Sequence, residues 1–304
     1  MFPMAWKRSK TLASWTLSVR RATNTSRSTN RRRRVERSFR SASGRSAATF
    51  RQAPTADCML SFIVPAYNEE HELPRTLASI RHAAEAAHQP FEIIVVDDAS
   101  TDATVEIARA AGALVLPSHF RQIAAVRNAG ARAARGDVLF FVDADTSISP
   151  GHVTGAVSAL NTGCAGGGAR VVPEGPVPLW GRVFVQIFSV FYFTFSKLGA
   201  GAFLFTTREN FRAIGGFDDE LFAGEEIYFS LALKKIGRFT LLPKPVVTSG
   251  RKLRMHSAGF ILKRSFSLIV AGRRGVRSRE KLDLWYDGKR ETKSGAPISA
   301  RAPG

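Results

Sequence analysis

Acidic residues follow two apolar runs of the sequence, at the point where each run ends. Asp98 lies just beyond residues 91–96, and Asp143 and Asp145 lie just beyond residues 138–142. Bringing like charges together is unfavourable unless a cation or a hydrogen-bond donor compensates them. One such cluster is typical of a helix cap or a turn, whereas two clusters at the ends of buried strands indicate a functional site.

Apolar runs that alternate with helical stretches predict the elements that hold these carboxylates. Four runs are typical of buried strands: residues 60–66, 91–96, 113–116 and 138–142. Helices are predicted at residues 74–88, after an N-cap at Asp102, at residues 122–135, and from Ser149 onward. This alternation predicts an α/β fold with a mostly parallel sheet, and the unbroken apolar strands indicate helices on both faces. Ligands of such sheets bind beyond the carboxyl ends of the strands, where both acidic clusters lie.

The positive charge of the chain, +19 overall, lies in its two flanks. Residues 1–56 carry a net charge of +13 and residues 251–304 one of +10, whereas residues 57–250 carry −4. An enzyme that acts on nucleic acid usually carries positive charge on the folded body that grips the backbone, so we expect no nucleic-acid partner. Basic flanks also suit an anionic membrane surface.

The first 56 residues are rich in Arg, Ser, Thr and Ala. Such a segment buries too little apolar surface to offset its chain entropy, so we expect a disordered basic tail. Two other interpretations stay open: an organelle transit peptide, and a start codon assigned upstream of the true one.

Cysteine usage and the length of the apolar runs bear on location. Cys58 and Cys164 form no metal-binding spacing and no disulfide framework, which favours a reducing, cytoplasmic compartment. The longest apolar run, residues 183–195, is too short to span a bilayer.

Four motifs of the chain resemble those of family 2 glycosyltransferases, which have the GT-A fold. SFIVPAYNEE, EIIVVDDASTDAT and VRNAGARAARGDVLFFVDAD are similar to the family's nucleotide-sugar half, and the segment at residues 201–239 is similar to its acceptor half. The resemblance covers about residues 59–250, in family order and at family spacing. It implies a metal-dependent, inverting hexosyltransferase with a single GT-A domain at residues 57–250. Residues 57–148 would form the donor half and residues 149–250 the acceptor half, followed by a basic amphipathic extension (251–287) and a loose tail (288–304).

For the donor, the resemblance implies a nucleotide-sugar pocket at the first acidic cluster. Asp98 would accept the N3–H of a uracil-type base, which favours a UDP-sugar, although guanosine donors also occur in the family. The residues that would line the nucleotide pocket are Pro65, Ala66, Tyr67 and Glu69.

For the diphosphate, Asp143-Ala-Asp145 matches the family's DXD motif. Asp145 would bind Mn²⁺ or Mg²⁺, for which carboxylate oxygens are suitable ligands, and Asp143 would bind the ribose or a metal-bound water. Arg127, in the family's RN-x-G element, would contact the donor, with an ion pair near Asp143 as the alternative. Arg251, or Lys252 as the alternative, would neutralise the pyrophosphate.

For the acceptor, the resemblance implies a general base at the start of a helix after the Gly-Gly-Phe segment. Glu226 occupies the position of the base and Glu225 precedes it, where the family more often has Glu-Asp. Two glutamates in a first helical turn also favour the helix dipole without any catalytic role. Gly215 and Gly216 are expected to form a tight turn between helices.

Two apolar stretches bear on the acceptor. Residues 180–197 carry phenylalanines at helical spacing, and residues 259–270 combine apolar residues with Lys and Arg. The first stretch fits a core helix or a surface for a lipid-linked hydroxyl acceptor, and the second fits a peripheral membrane helix on the inner face of a membrane.

Two alternatives to a transferase stay open. A nucleotidyltransferase of related fold would carry a glycine-rich loop after the first strand, where this chain has Ala66-Tyr67-Asn68-Glu69. A catalytically inactive, transferase-like binding protein would not need the full set of acidic residues that the chain retains.

Overall fold

The computed structural model describes residues 58–175, 178–181, 197–251, 259, 290–291 and 297–298. The predicted tail at residues 1–56, most of the phenylalanine-rich stretch, and nearly all of the C-terminal extension and tail lie outside the described residues. Within the part that is described, no helix is long and apolar enough to cross a bilayer.

Four parallel strands form the first half of an eight-stranded sheet. They are β1 (Leu60–Ala66), β2 (Phe91–Asp97), β3 (Leu114–Pro117) and β4 (Val138–Val142). They lie in the order β3-β2-β1-β4, with Leu60 beside Phe91 and Val138. The strands at residues 60–66 and 138–142 were predicted with the bounds that the structure has. Strand β2 ends one residue later than predicted, and β3 both begins and ends one residue later.

The second half of the sheet is mixed. Its strands are β5 (Thr146–Ser147), β6 (Cys164–Glu174), β7 (Phe203–Thr207) and β8 (Arg238–Ser249). Strand β7 pairs antiparallel with β4 and with β6, β5 pairs antiparallel with β8, and β6 pairs parallel with β8. Four of the seven strand pairs are therefore parallel, so the parallel character belongs mainly to the first half. A separate antiparallel pair joins β9 (Arg290–Glu291) to β10 (Pro297–Ile298).

Six helices flank the sheet in the described chain. They are α1 (Leu73–Glu85), α2 (Thr104–Ala110), α3 (Ile123–Ala133), α4 (Pro150–Asn161), α5 (Arg208–Ile214) and α6 (Glu225–Ile236). Ser149 and His152 form a capping box at the start of α4. The N-cap of α2 is Ala103, so the prediction of Asp102 was wrong by one residue, although the Asp102 carboxylate accepts a hydrogen bond from the backbone N–H of Thr104 at 3.0 Å.

Two hydrophobic clusters cover the two faces of the sheet, as the unbroken apolar strands predict. On one face Phe62 and Phe140 stack with ring centroids 4.7 Å apart and pack with residues of α1 and α4. On the other face Ile63 and Phe141 pack with residues of α3, α5 and α6. Because α3 and α6 share this second face, the start of α6 is held beside the carboxyl edge of the sheet.

Candidate active site

The first acidic cluster lies where β2 ends. Asp98 is buried, and its Oδ1 accepts hydrogen bonds from the Ser118 hydroxyl at 3.1 Å and the Phe120 backbone N–H at 2.8 Å. The Asp98 backbone N–H donates to the carbonyl of Ala66 at 2.8 Å, so the ends of β1 and β2 are joined. Ala66 is buried and Pro65 is only partly exposed, so this part of the predicted nucleotide pocket presents little side-chain surface.

A stacked pair lies beside this cluster. The Arg121 guanidinium lies 3.7 Å from the centre of the Tyr67 ring, and its Nη2 donates to the Tyr67 hydroxyl at 2.9 Å. Arg121 Nη1 also reaches the Asp98 carbonyl at 3.5 Å. Tyr67 was predicted from the resemblance, but Arg121, which is partly buried, was missed because nothing in its local sequence separates it from the other arginines.

Arg251 joins Glu69 to Asp145. Its two terminal nitrogens donate to the two oxygens of Glu69, each at 2.6 Å, and its Nη2 lies 3.3 Å from Asp145 Oδ2. The Thr248 hydroxyl donates to Asp145 Oδ1 at 3.1 Å. Burial alone would lower the pKa of Arg251, but its hydrogen bonds and its attraction to Glu69 outweigh burial, so the pKa is raised and the charge is retained. The residue predicted to neutralise a pyrophosphate therefore neutralises two carboxylates here.

Arg127 joins Asp143 to Glu225. Its side chain is 1% exposed; Nη1 donates to Glu225 Oε1 at 2.6 Å, and Nη2 donates to Asp143 Oδ1 at 2.7 Å and to the Gly201 carbonyl at 3.0 Å. Burial favours the neutral form, yet the two carboxylates outweigh it and raise the pKa of Arg127. This guanidinium connects the DXD motif to the helix that carries the candidate base.

The carboxylates around Arg127 have an excess of negative charge. Burial raises the pKa of Asp143, and the charge of Asp145 adds to that rise although Arg127 opposes it. Glu226 lies in the first turn of α6 and is only partly exposed. The loss of hydration on burial is the main cause that raises its pKa to about 8, and the charge of Glu225 is the second. Glu226 therefore binds a proton at neutral pH more readily than an ordinary glutamate, as suits a group that accepts one.

Asp143 and Asp145 fit a cation that is shared with a ligand. Among the described residues, no group of three or more His, Cys, Asp or Glu side chains could hold a metal ion by itself. Mg²⁺ in nucleotide sites is commonly held by one or two carboxylates together with phosphate oxygens, so two aspartates are sufficient there. Burial is the main cause of the raised pKa of Asp143, and the nearby charge of Asp145 adds to it; a divalent cation would offset that repulsion.

The structure brings the predicted site residues together at the carboxyl edge of the sheet. Asp98 and Tyr67 lie at one end, Glu69, Arg251 and Asp145 form a second group, and Arg127, Asp143, Glu225 and Glu226 form a third. Thr248, Asn128 and Gly201 were missed. One signal for a buried Arg127 was available, because it lies between Ala124 and Ala131 at helical spacing on the buried face of α3.

Comparison with known proteins identifies relatives of the chain. Residues 61–212, half of the chain, match the family described as Glycosyl transferase family 2. The match includes Asp98, Arg127, Asp143 and Asp145, whereas Glu226 lies beyond it.

Curated relatives match part of the chain. An undecaprenyl-phosphate 4-deoxy-4-formamido-L-arabinose transferase of Aeromonas hydrophila is 33% identical over 113 residues, 34% of each chain. The enzyme of the same name from Pseudomonas fluorescens is 34% identical over 112 residues, 34% of this chain and 33% of the relative. The chain thus spans about a third of the length of the curated relatives it matches.

Solved structures share the fold. A mannosyltransferase of Pyrobaculum calidifontis gives a TM-score of 0.52 at 21% identity, covering 83% of this chain and 75% of that one. The mannosyl-3-phosphoglycerate synthase of Rubrobacter xylanophilus gives 0.53 at 18% identity, covering 80% of this chain and 85% of that one.

Proposed function

Because the chain belongs to glycosyl transferase family 2, we propose that it transfers a sugar from a nucleoside diphosphate donor to an acceptor hydroxyl, with inversion and with the help of a divalent cation. The observation that carries the proposal is the Arg127 contact between Asp143 and Glu225. It places the carboxylates suited to a cation and diphosphate next to the helix that carries Glu226. A displacement at a sugar carbon needs both groups, one on each side of that carbon.

The donor would lie along the carboxyl edge of the sheet. Asp98 would accept a hydrogen bond from the N3–H of the base, and Tyr67 and Glu69 would contact the nucleoside. Arg251 would release Glu69 and bind the diphosphate instead. A UDP-sugar is the donor that Asp98 favours. The Pyrobaculum calidifontis mannosyltransferase is in complex with GDP-Man and Mn²⁺, so this fold also accommodates a guanosine donor.

Asp145 and Asp143 would hold Mn²⁺ or Mg²⁺ against the diphosphate. When bound, such an ion supplies charge stabilisation to the leaving nucleoside diphosphate, worth several kcal/mol. Hard carboxylate oxygens suit either ion.

Glu226 would act as the general base. Its carboxylate takes the proton of the acceptor hydroxyl while that oxygen attacks the anomeric carbon and the bond to the diphosphate breaks on the opposite side. One displacement of this kind inverts the configuration. The base typically contributes about 10²–10⁴-fold to the rate.

The acceptor is proposed to be lipid-linked. The curated relatives are named for undecaprenyl phosphate, and the chain carries two apolar stretches of its own. A phosphate acceptor is already anionic at neutral pH and needs no base, so the raised pKa of Glu226 favours a hydroxyl. Assays with a polyprenyl phosphate and with a hydroxyl-bearing glycolipid distinguish the two.

Such an acceptor would place the protein on the cytoplasmic face of a membrane. The basic residues that follow residue 259 suit anionic lipid. Cosedimentation with anionic liposomes should fall as salt is raised, and a protein that fails to bind them at any ionic strength would contradict the proposal.

A screen of nucleotide sugars tests the reaction. UDP-glucose, UDP-N-acetylglucosamine and GDP-mannose are added with Mn²⁺, and melting temperature and nucleoside diphosphate release are measured; a hundredfold excess over Kd adds about 2.7 kcal/mol of stability. Asp145→Ala should abolish release. Asp137→Ala, at the opposite end of β4, is the matched control and should retain it.

Each alternative gives a different result in the same screen. A binding protein without catalysis shows the thermal shift but releases nothing. A nucleotidyltransferase releases no nucleoside diphosphate, and it forms a nucleoside triphosphate and a sugar 1-phosphate from the nucleotide sugar only when pyrophosphate is added. A protein that responds to no nucleotide sugar and no divalent ion refutes the transferase itself.

A further inference from the structure

Arg127 touches three segments that are distant in the sequence. Asp143 follows β4, Gly201 lies just before β7, and Glu225 begins α6. All three bonds come from the two terminal nitrogens of one planar guanidinium, whose fork holds two carboxylates at a fixed separation. A change in the position of either carboxylate therefore disturbs the other.

The rest of α3 supports the same link. The side-chain amide of Asn128 donates to the Phe217 carbonyl at 2.9 Å and accepts from the Phe217 backbone N–H at 2.9 Å. At the start of the helix, Gln122 donates to the carbonyls of Asp219 and Leu221. Helix α3 thus holds the chain that connects α5 to α6 at several points, as well as α6 itself.

Gly201 allows the guanidinium to reach this position. A Cβ built on Gly201 would lie 3.0 Å from Arg127 Nη2 and 3.5 Å from Nη1. The Phe217 ring lies on another side, 5.4 Å from the guanidinium carbon. The guanidinium is therefore enclosed by protein.

This enclosure argues against direct contact between Arg127 and a donor phosphate. The side chain is 1% exposed, and both terminal nitrogens already donate to protein oxygens. A phosphate could reach it only if the surrounding groups moved aside, and breaking the pair with Glu225, whose side chain is 5% exposed, would leave a buried carboxylate uncompensated at a cost of about 3–5 kcal/mol.

We propose that Arg127 is a positioning residue that fixes Glu226 relative to Asp143, and that Glu225 is the anchor through which it does so. The inference rests on the proposed transfer reaction and adds to it. Of Glu225 and Glu226, only Glu226 acts as the base, and the Arg127–Glu225 contact determines the position of Glu226. A displacement of about 1 Å in a reacting group costs about 10²-fold in rate.

The first test is Arg127→Lys in the 304-residue chain, with Arg132→Lys as the matched control. Arg132 lies on the same helix and is exposed. Lysine keeps the charge, but its single nitrogen cannot hold the two carboxylates at the separation that the guanidinium fork sets. We expect kcat, with the best nucleotide sugar of the screen, to fall about 10²-fold, while the Kd of UDP with Mn²⁺ changes less than about threefold. A Kd of UDP at least about 30-fold weaker, with kcat unchanged at saturating donor, would overturn the proposal.

The second test is a double-mutant cycle with Glu225→Gln. If the two residues act as one unit, Arg127→Lys combined with Glu225→Gln lowers kcat little further than the worse single variant, within about threefold. Reductions that multiply mean that the two residues act independently, and the proposal then fails. A wild-type chain that transfers no sugar refutes the proposed function and this inference with it. If the wild-type chain transfers sugar but the effects of the two substitutions on kcat simply multiply, this inference alone is refuted.

Gly201→Ala provides a milder perturbation in case Arg127→Lys does not fold. The added methyl group displaces the guanidinium by a few tenths of an ångström and removes no charge. We expect kcat to fall about tenfold with the affinity for UDP retained. A Gly201→Ala chain with wild-type kcat contradicts the proposal.

Discussion

The raised pKa of Glu226 predicts that transfer accelerates as the pH rises through this pKa. Only the ionised carboxylate accepts a proton, and burial together with the charge of Glu225 raises its pKa to about 8. About one tenth of the groups are then ionised at pH 7 and about nine tenths at pH 9, so the rate of the chemical step rises about tenfold between these values. An ordinary glutamate would be fully ionised throughout this range, and the profile would be flat.

Single-turnover rates between pH 6 and 9.5 measure this step apart from product release. The Glu226→Gln chain should be slower by about 10²–10⁴-fold and should lose the rise with pH. Glu209→Gln is the matched control, because Glu209 also lies in the first turn of a helix but is exposed. Its profile should coincide with that of the wild type.

Two results would refute this reasoning. One is a wild-type profile that is flat from pH 6.5 to 9 under single-turnover conditions. The other is a Glu226→Gln chain that keeps a tenth or more of the wild-type rate. Either would return Glu226 to the role of a residue that merely favours the helix dipole.

Three further predictions follow from the contacts described. Glu226→Gln should raise the melting temperature more at pH 8 than at pH 5. The raised pKa of Glu226 makes its ionisation destabilise the fold as the pH rises from 4.5 to 8, by at most about 1.4 kcal/mol per pH unit, and glutamine removes this cost. Equal shifts of the melting temperature at both pH values would contradict this. Arg251→Met should strengthen the binding of Mn²⁺ alone about fivefold, because the guanidinium no longer competes with the ion for Asp145, and it should weaken the binding of UDP. Titration calorimetry measures both affinities. An unchanged affinity for Mn²⁺ would exclude competition between Arg251 and the ion. Gly130→Ala should lower the free energy of unfolding in urea by about 1–3 kcal/mol, because a methyl group there meets Ile63 and Val96; an unchanged midpoint would show that these side chains can move aside.

Strands β1, β2 and β4 could be predicted from sequence because they are largely buried on both faces, whereas β3 lies at the edge of the sheet with Leu114 exposed. A strand such as β1 or β4 needs apolar residues throughout, which leaves a continuous run that is visible without any partner strand. Strand β6 lacks this signal: it contains Gly166, Gly167 and Gly168, and a Cβ at Gly167 would meet the Thr240 carbonyl and the Phe205 ring. Glycine is used there for close packing, which local propensity cannot reveal.

The residue types of the site could be predicted, but the pairs that they form could not. Arg127 and Glu225 are 98 residues apart, and Arg251 and Glu69 are 182 apart. Spacing along the chain indicates a helix face or a strand end, and it contains no information on which carboxylate a distant arginine meets. The resemblance assigned Arg251 to the donor and left Arg127 either to the donor or to an ion pair near Asp143, and the structure has that ion pair. Family motifs mark where such residues lie and not how deeply they are buried.

Burial separates the roles of these two arginines. Arg127 is 1% exposed and its terminal nitrogens donate to protein oxygens, so an incoming diphosphate could reach it only if these groups moved aside. Arg251 is 11% exposed and bonds to Glu69 and Asp145, which are themselves placed to meet the donor. An anionic diphosphate would compete with these carboxylates for Arg251, and a divalent cation would compete with Arg251 for Asp145. We therefore expect a lasting link at Arg127 and an exchangeable one at Arg251, and this expectation rests on their difference in exposure more than on any difference in sequence motif.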